Sequence, residues 1–215
     1  MVTILIVILI GYLLGSIPSG VWLGMLIKGI DVRKHGSKSI GATNVFRVLG
    51  AKLAVVVLII DIAKGFAAAL LGSSIDLGDT MLSSNQLAMA AGISSICGHL
   101  FPLFARFRGG KGVATAAGIL LFLAPLEMIF ALLVFGATLA LTRYVSLSSI
   151  LATLFFSISI VCEKYIYSFP LGNEMIGLAV LLAALIVFTH RANIARLFGG
   201  KESKLGVKTE SPSQT

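Results

Sequence analysis

The sequence predicts an all-α fold: a polytopic transmembrane helical bundle of seven spans, with the N-terminus outside and the C-terminus in the cytoplasm. Three observations carry this expectation. First, 57% of the 215 residues are hydrophobic and only 12% are charged, against about 25% charged in an average soluble domain. The mean hydropathy is +1.01, so lipid must cover part of the apolar surface. Second, several apolar runs approach the length of about 20 residues that a helical crossing needs. Third, the basic residues cluster in alternate loops.

The runs follow in order. Residues 3–26 form the first, with small residues four apart at Gly11 and Gly15 and then Ser16, Gly20 and Gly24. That spacing allows close helix contact, and Pro18 should bend the helix. The N-terminus lacks the basic region and cleavage site of a signal peptide, so the run reads as a retained span. Residues 52–72 are the second and contain Asp61 and Lys64. Intramembrane charges are costly and usually paired. These two read as a buried pair supporting the fold, with an ion pathway as the lesser alternative. Residues 86–104 are the third.

The stretch 112–142 would measure about 46 Å as one helix, too long for a hydrocarbon core of about 30 Å. Splitting it at Ala124-Pro125 and Glu127 gives two short, tilted helices. Residues 145–162 and 174–190 complete seven spans, with five as the alternative. Residues 1–202 form a single membrane domain, and the polar residues 203–215 read as a disordered tail. Cys97 and Cys162 read as small packed hydrophobes rather than a disulfide framework.

Sidedness follows from charge. Lys28 to Lys52 holds six basic residues, Arg106 to Lys111 three, Arg143 one, and Arg191 to Lys208 five, which is 15 of the 17 Lys and Arg. Asp76, Asp79, Glu127, Glu163 and Glu174 fall opposite, with Lys164 nearly alone. The net charge of +8 therefore points to lipid headgroups and phosphorylated substrates rather than nucleic acid.

Four cytoplasmic segments could carry chemistry. His35 to Arg47 combines glycines, hydroxyls at Ser37 and Ser39, the Asn44 amide and Arg47. Glycine permits close backbone approach, and Ser, backbone N–H groups and Arg can hold phosphate. A loop that anchors on lipid phosphate is the equal alternative. Gly98-His99 and then Gly109-Gly110-Lys111-Gly112 precede a predicted helix, a favourable anion site without the spacing of a P-loop. A tight glycine turn explains it equally well, and His99 alone reads as structural. Thr142 to Ser149 contains Ser146 and Ser148, for which helix capping is the better explanation. His190 and Asn193 would share a helix face at i, i+3, beside an ordinary basic stop. A G-x-S-x-G elbow, a metal-ligand cluster and the aspartate array of headgroup transferases are missing from the sequence.

Taken together, these motifs resemble the bacterial membrane family of acyl-phosphate-dependent glycerol-3-phosphate 1-O-acyltransferases. The matching stretches are GYLLGSIPSG, GSKSIGATNVFRVLG, GHLFPLFARFRGGKGVATAAG, YVSLSS and HRANIARLFGGKE, in order along nearly the whole chain. Ser39 departs from the Asn that many members carry there. The resemblance implies transfer of a fatty acyl group from acyl phosphate to the sn-1 hydroxyl of glycerol 3-phosphate, at the cytoplasmic face of a bacterial inner membrane. The products would be lysophosphatidic acid and phosphate, the first acylation of phospholipid synthesis. It implies no cofactor, metal or obligate protein partner, and a lipid environment. By resemblance, Ser37, Asn44, Arg47, Gly109, Gly110, Lys111, Ser146 and Ser148 would bind substrate. His190, Asn193 and Lys111 would act at the reacting centre, and Glu202 would stabilise the C-terminal loop. A small organic-anion transporter and a noncatalytic assembly factor are the alternatives from other classes.

Overall fold

The computed structural model describes residues 1–206, and among them there are ten α-helices, two short 3-10 turns and no strand. The chain divides into two compact units, Met1–Met128 and Ile129–Thr215.

In the first unit, α1 (Val2–Gly15) and α2 (Ser19–Lys28) together make the first apolar stretch. They are separated by Ser16-Ile17-Pro18, as Pro18 predicts. The N–H groups of Val21 and Trp22 both turn to the Pro18 carbonyl, and the Lys64 ammonium takes up the Ile17 carbonyl at 3.0 Å. After α3 (Ala42–Leu49) come α4 (Ala51–Ser74), α5 (Ser84–Leu100) and α6 (Val113–Leu123). A capping box at Ser83 and Gln86 starts α5.

Glycines set the packing of this unit. A Cβ on Gly11 or Gly15 of α1 would strike the α5 backbone at Ala91 or Ser95. One on Gly65 of α4 would strike the Thr115 carbonyl, and one on Gly118 of α6 the Ile62 carbonyl. Backbones approach this closely only where side chains are absent. Val21, Val32, Ile40, Val45, Ala54 and Val57 form an apolar core under the loop that leads into α3.

Asp61 and Lys64 form the expected buried pair. They are 2% and 4% exposed, with Nζ 2.9 Å from Asp61 Oδ1. The Ser19 hydroxyl donates to the same oxygen at 2.8 Å. At the other end of the unit, Asp79 accepts from the Met1 amine, the N–H groups of Val2 and Thr3, and the Thr3 hydroxyl. The amine, then the Thr3 hydroxyl, hold its carboxyl well below the usual range.

The second unit contains most of α7 (Pro125–Thr142), then α8 (Val145–Tyr165), α9 (Asn173–Thr189) and α10 (Arg191–Phe198). The Ser157 hydroxyl of α8 donates to the Ala179 carbonyl of α9 at 2.9 Å. α9 and α10 meet at His190 with a bend of 59°.

The stretch 112–142 breaks before Pro125, as expected, but into unequal pieces. Proline suits the first turn of a helix and disfavours helix in the residue before it, and Ala124 duly leaves the helical region. α6 has 11 residues, a rise of about 16 Å. Among the described residues five helices are long and apolar enough to cross a membrane, or six if the bent α9–α10 pair is one span. Cys97 lies on an exposed face of α5 rather than packed, and Cys162 is half-buried. Of the expected tail, 207–215 lies outside the described residues. Within 203–206, the Leu205 N–H donates to the Arg143 carbonyl at 2.8 Å and the Lys204 ammonium stands 5.6 Å from the Tyr144 ring centre.

Candidate functional site

In the first unit the residues Ser37 to Arg47 are organised by one side chain. Asn44, 1% exposed, sits on the first turn of α3 and points back into the preceding loop. Its Nδ2 donates to the carbonyls of Val32 at 2.9 Å, His35 at 3.2 Å and Ser39 at 2.8 Å. Its Oδ1 accepts from the Ser37 N–H at 2.8 Å. The two N–H bonds of the amide serve three carbonyls, two of which share a hydrogen, and its oxygen accepts one N–H, so both ends of Asn44 are engaged by the loop itself. Gly36 is needed where it stands, because φ is +58° and a Cβ would strike Asn44 Oδ1. Ser39 accepts the Gly41 N–H at 3.3 Å through its hydroxyl. The result is an exposed Ser37 on a fixed backbone, with Arg47 exposed one turn along α3.

A second loop joins α5 to α6. It passes through a 3-10 turn at Leu103–Ala105 and left-handed backbone at Arg106 and Phe107, then Gly109, Gly110, Lys111 and Gly112, with Gly112 at φ +81°. The Arg33 guanidinium ties the two loops together. Its Nη1 donates to the Ala105 carbonyl at 3.0 Å, while Nε and Nη2 grip Asp31 at 2.9 and 2.8 Å. The Arg33 side chain beside Asp31 lowers that carboxyl's pKa, and Asp31 in turn raises that of Arg33. Ser37, with Asn44 and Arg47 on α3 behind it, and Gly109, Gly110 and Lys111 thus lie on two segments braced by one ion pair. Arg33 and Asp31 escaped the sequence analysis, although an Asp and an Arg two apart after Gly29 are a usable signal for a capped turn.

In the second unit the organiser is Glu202. It is buried. Its Oε1 accepts from Ser146 Oγ at 2.8 Å and Asn193 Nδ2 at 2.6 Å, and its Oε2 from Arg196 Nε at 2.7 Å. Burial alone would raise the Glu202 pKa; the hydrogen bonds from Asn193, Ser146 and Arg196 outweigh it and leave the pKa lowered. His190 stands at the bend, with Nδ1 2.8 Å from the Ile186 carbonyl. A carbonyl only accepts, so Nδ1 carries the proton in that bond. His190 and Asn193 are the cap and third residue of α10, both buried. The Ser146 proton goes to Glu202, and the Ser148 hydroxyl donates to the Tyr144 carbonyl one turn back, at 2.9 Å. The capping expected of this segment is not seen at α8: its N-cap is Tyr144, without a side-chain cap bond, and the Ser148 hydroxyl bonds back to a carbonyl four residues earlier instead of accepting an N–H.

Comparison with known proteins supplies the frame. A model described as glycerol-3-phosphate acyltransferase matches residues 5–200. The glycerol-3-phosphate acyltransferase of Chlorobaculum parvum is 41% identical over 231 residues, covering 95% of this chain and 97% of that protein. That of Salinibacter ruber is 41% identical over 209 residues, covering 93% and 91%. Two crystal structures of PlsY (YgiH), an integral membrane glycerol 3-phosphate acyltransferase, superpose with TM-scores of 0.81 for the glycerol 3-phosphate form and 0.80 for the lysophosphatidic acid form. Each is 37% identical and covers 94% of this chain, with 96% and 95% of its own length matched. With both organised groups inside the matched span apart from Glu202, and the fold shared along nearly its whole length, the chain belongs to the glycerol-3-phosphate acyltransferase family.

Proposed function

We propose that this protein transfers a fatty acyl group from acyl phosphate to the sn-1 hydroxyl of glycerol 3-phosphate, releasing lysophosphatidic acid and inorganic phosphate. The observation that carries the proposal is the Asn44-built loop, which presents Ser37 and Arg47 on a fixed backbone. Such a surface suits a phosphate on a small soluble acceptor. The glycerol 3-phosphate and lysophosphatidic acid forms of the related PlsY structures support the same acceptor and product here.

Acyl phosphate is a mixed anhydride and is already activated, so no nucleophilic side chain is required. The acceptor hydroxyl oxygen bonds to the acyl carbon, and the bond from that carbon to the phosphate oxygen breaks. The departing phosphate oxygen takes the hydroxyl proton. Catalysis then consists of placing two anionic substrates and countering their charge. Ser37, Arg47, Lys111 and the Gly109 backbone hold substrate phosphate, while Gly110, whose N–H is taken by the His99 carbonyl, shapes the loop. Asn193, aimed by Glu202, and His190, aimed by Ile186, orient the reacting groups. Asn44 and Ser146 act by positioning, through the loop and through Glu202.

The basic loops and the acidic ones support a topology with the N-terminus outside and the C-terminus in the cytoplasm of a bacterial inner membrane. Lys111 precedes α6 and Arg143 follows α7, so keeping both inside makes α6 and α7 an out-and-back pair and brings the passes to seven. Impermeant thiol labelling of a cysteine placed at Glu127 tests this; labelling from the cytoplasm alone would exclude it.

The activity test uses pure protein with acyl phosphate and labelled glycerol 3-phosphate. Labelled lysophosphatidic acid is expected, and Lys111→Ala should lose about 1,000-fold in kcat/KM, as the loss of a positioned charge does. Transport into proteoliposomes without acyl transfer would overturn the reading. His190→Ala retaining most of its kcat would remove a general-base role for that ring and leave the proton with the leaving phosphate.

A further inference from the structure

Gly110 sits against the Nε2 edge of the His99 imidazole. A Cβ added at Gly110 would overlap Nε2 and stand 3.1 Å from Cδ2 and 3.2 Å from Cε1. One added at Gly109 would run into the carbonyl oxygens of His99 and Leu100. The Gly110 N–H also donates to the His99 carbonyl at 3.1 Å. Ring and backbone of a single residue therefore set the path of the two glycines before Lys111.

The ring is itself held from behind. His99 is 3% exposed. Among the described residues its Nδ1 makes no hydrogen bond, but it faces Asp61 Oδ1 at 3.9 Å. That oxygen is fixed by Ser19 and Lys64, and Lys64 is fixed in turn by the Ile17 carbonyl at the α1–α2 break. The buried pair thus does more than support the helices. It ends a chain of contacts that runs from the helix break, through α4 and α5, to the glycine loop.

We propose that His99 is a positioning residue for acyl transfer: its imidazole, set against the Asp61–Lys64 pair, is the platform on which Gly109-Gly110 rests and which fixes where Lys111 is delivered. This inference rests on the assignment of Lys111 to substrate phosphate. A ring that merely fills space would affect folding but not the affinity for acceptor. A platform would affect the acceptor specifically and would explain why residue 110 lacks a side chain.

The test is a set of variants assayed in detergent after size exclusion, with KM and kcat for glycerol 3-phosphate measured separately. Gly110→Ala should raise KM at least tenfold, because the methyl group is driven into the ring. His99→Ala should raise KM about tenfold with kcat changed less than threefold, and His99→Gln, which restores a polar end of similar reach, should recover most of the loss. In the double variant H99A/G110A the methyl at 110 should cost nothing further, so that KM equals that of H99A alone. The same non-additivity is expected with His99→Asn in place of His99→Ala, should the latter not fold. Gly110→Ala with a wild-type KM overturns the proposal, whatever the His99 variants do. So does a double variant whose KM defect is the product of the two single defects. Wild type is assayed first with acyl phosphate. If it turns over only with a different activated acyl donor, the donor assignment falls, and the KM series run with that donor judges His99 on its own.

Discussion

The two organised regions solve the same problem with different chemistry. In the first unit a neutral amide, Asn44, gathers three carbonyls and one N–H of a loop. In the second a carboxylate, Glu202, gathers two neutral side chains and a guanidinium. The amide leaves its region without added charge, so the cations there can face an anionic ligand. The carboxylate adds a negative charge but sets it against Arg196, behind Asn193. Under the proposed acyl transfer, a negative organiser in the first region would compete with substrate phosphate for Arg47 and Lys111. The difference therefore fits a division of labour in which the first region binds anions and the second orients groups.

Substitutions can break this comparison, the largest effect first. Asn44→Asp should be the most damaging, with kcat/KM down more than 1,000-fold. It turns a carboxylate toward three carbonyls and adds negative charge close to Arg47. Asn44→Ala should lose about 100-fold, the scale of a reacting group misplaced by about 1 Å, and mostly as a raised KM for glycerol 3-phosphate. Glu202→Ala should also approach 100-fold but appear mainly in kcat, because it removes the carboxylate to which Asn193 donates. A Glu202 variant that raised KM alone would erase the distinction between the regions. Glu202→Gln keeps an acceptor oxygen and should lose about tenfold, near the contribution of a charge-assisted hydrogen bond.

A smaller effect separates the organisers by pH. The Glu202 pKa is lowered in the folded protein. Its contribution to stability is therefore complete above the unfolded value of about 4.3 and is lost as pH falls through the lower folded value. The Tm gap between wild type and Glu202→Gln should be constant from pH 8 to 5 and close below about pH 4.3. The gap for Asn44→Ala should not change with pH, since an amide does not titrate. Ser148→Ala, which removes one bond within a helix turn, should change activity less than twofold and shift stability within about 0.5 kcal/mol.

Much of this was legible in the sequence, and what was not has physical reasons. Apolar length reports the candidate spans, because a helix that crosses lipid must match the thickness of the hydrocarbon core. The split before Pro125 follows from proline's missing N–H and the steric limits on the residue before it. Its unequal halves do not follow, because α6 owes its place to Gly65 and Gly118, a tertiary contact that no local pattern reports. The Asp61–Lys64 pair was readable from i, i+3 spacing in an apolar run, but its reach to His99 crosses from α4 to α5. Asn44 looked like a ligand because an amide near phosphate-binding residues can be one. Only the contacts reveal that it faces its own loop. Ser146 and Glu202 lie 56 positions apart, so their pairing waits on the fold.

The glycine seams have a bearing on how a fatty tail can approach. Where Gly11 and Gly15 meet α5, and where Gly65 and Gly118 join α4 to α6, one main chain lies directly on another. A hydrocarbon chain is several ångströms thick and cannot slip through either joint without prising two helices apart. Both joints are shut to a fatty tail arriving sideways, and under the proposed acyl transfer the tail enters and leaves through another gap between helices.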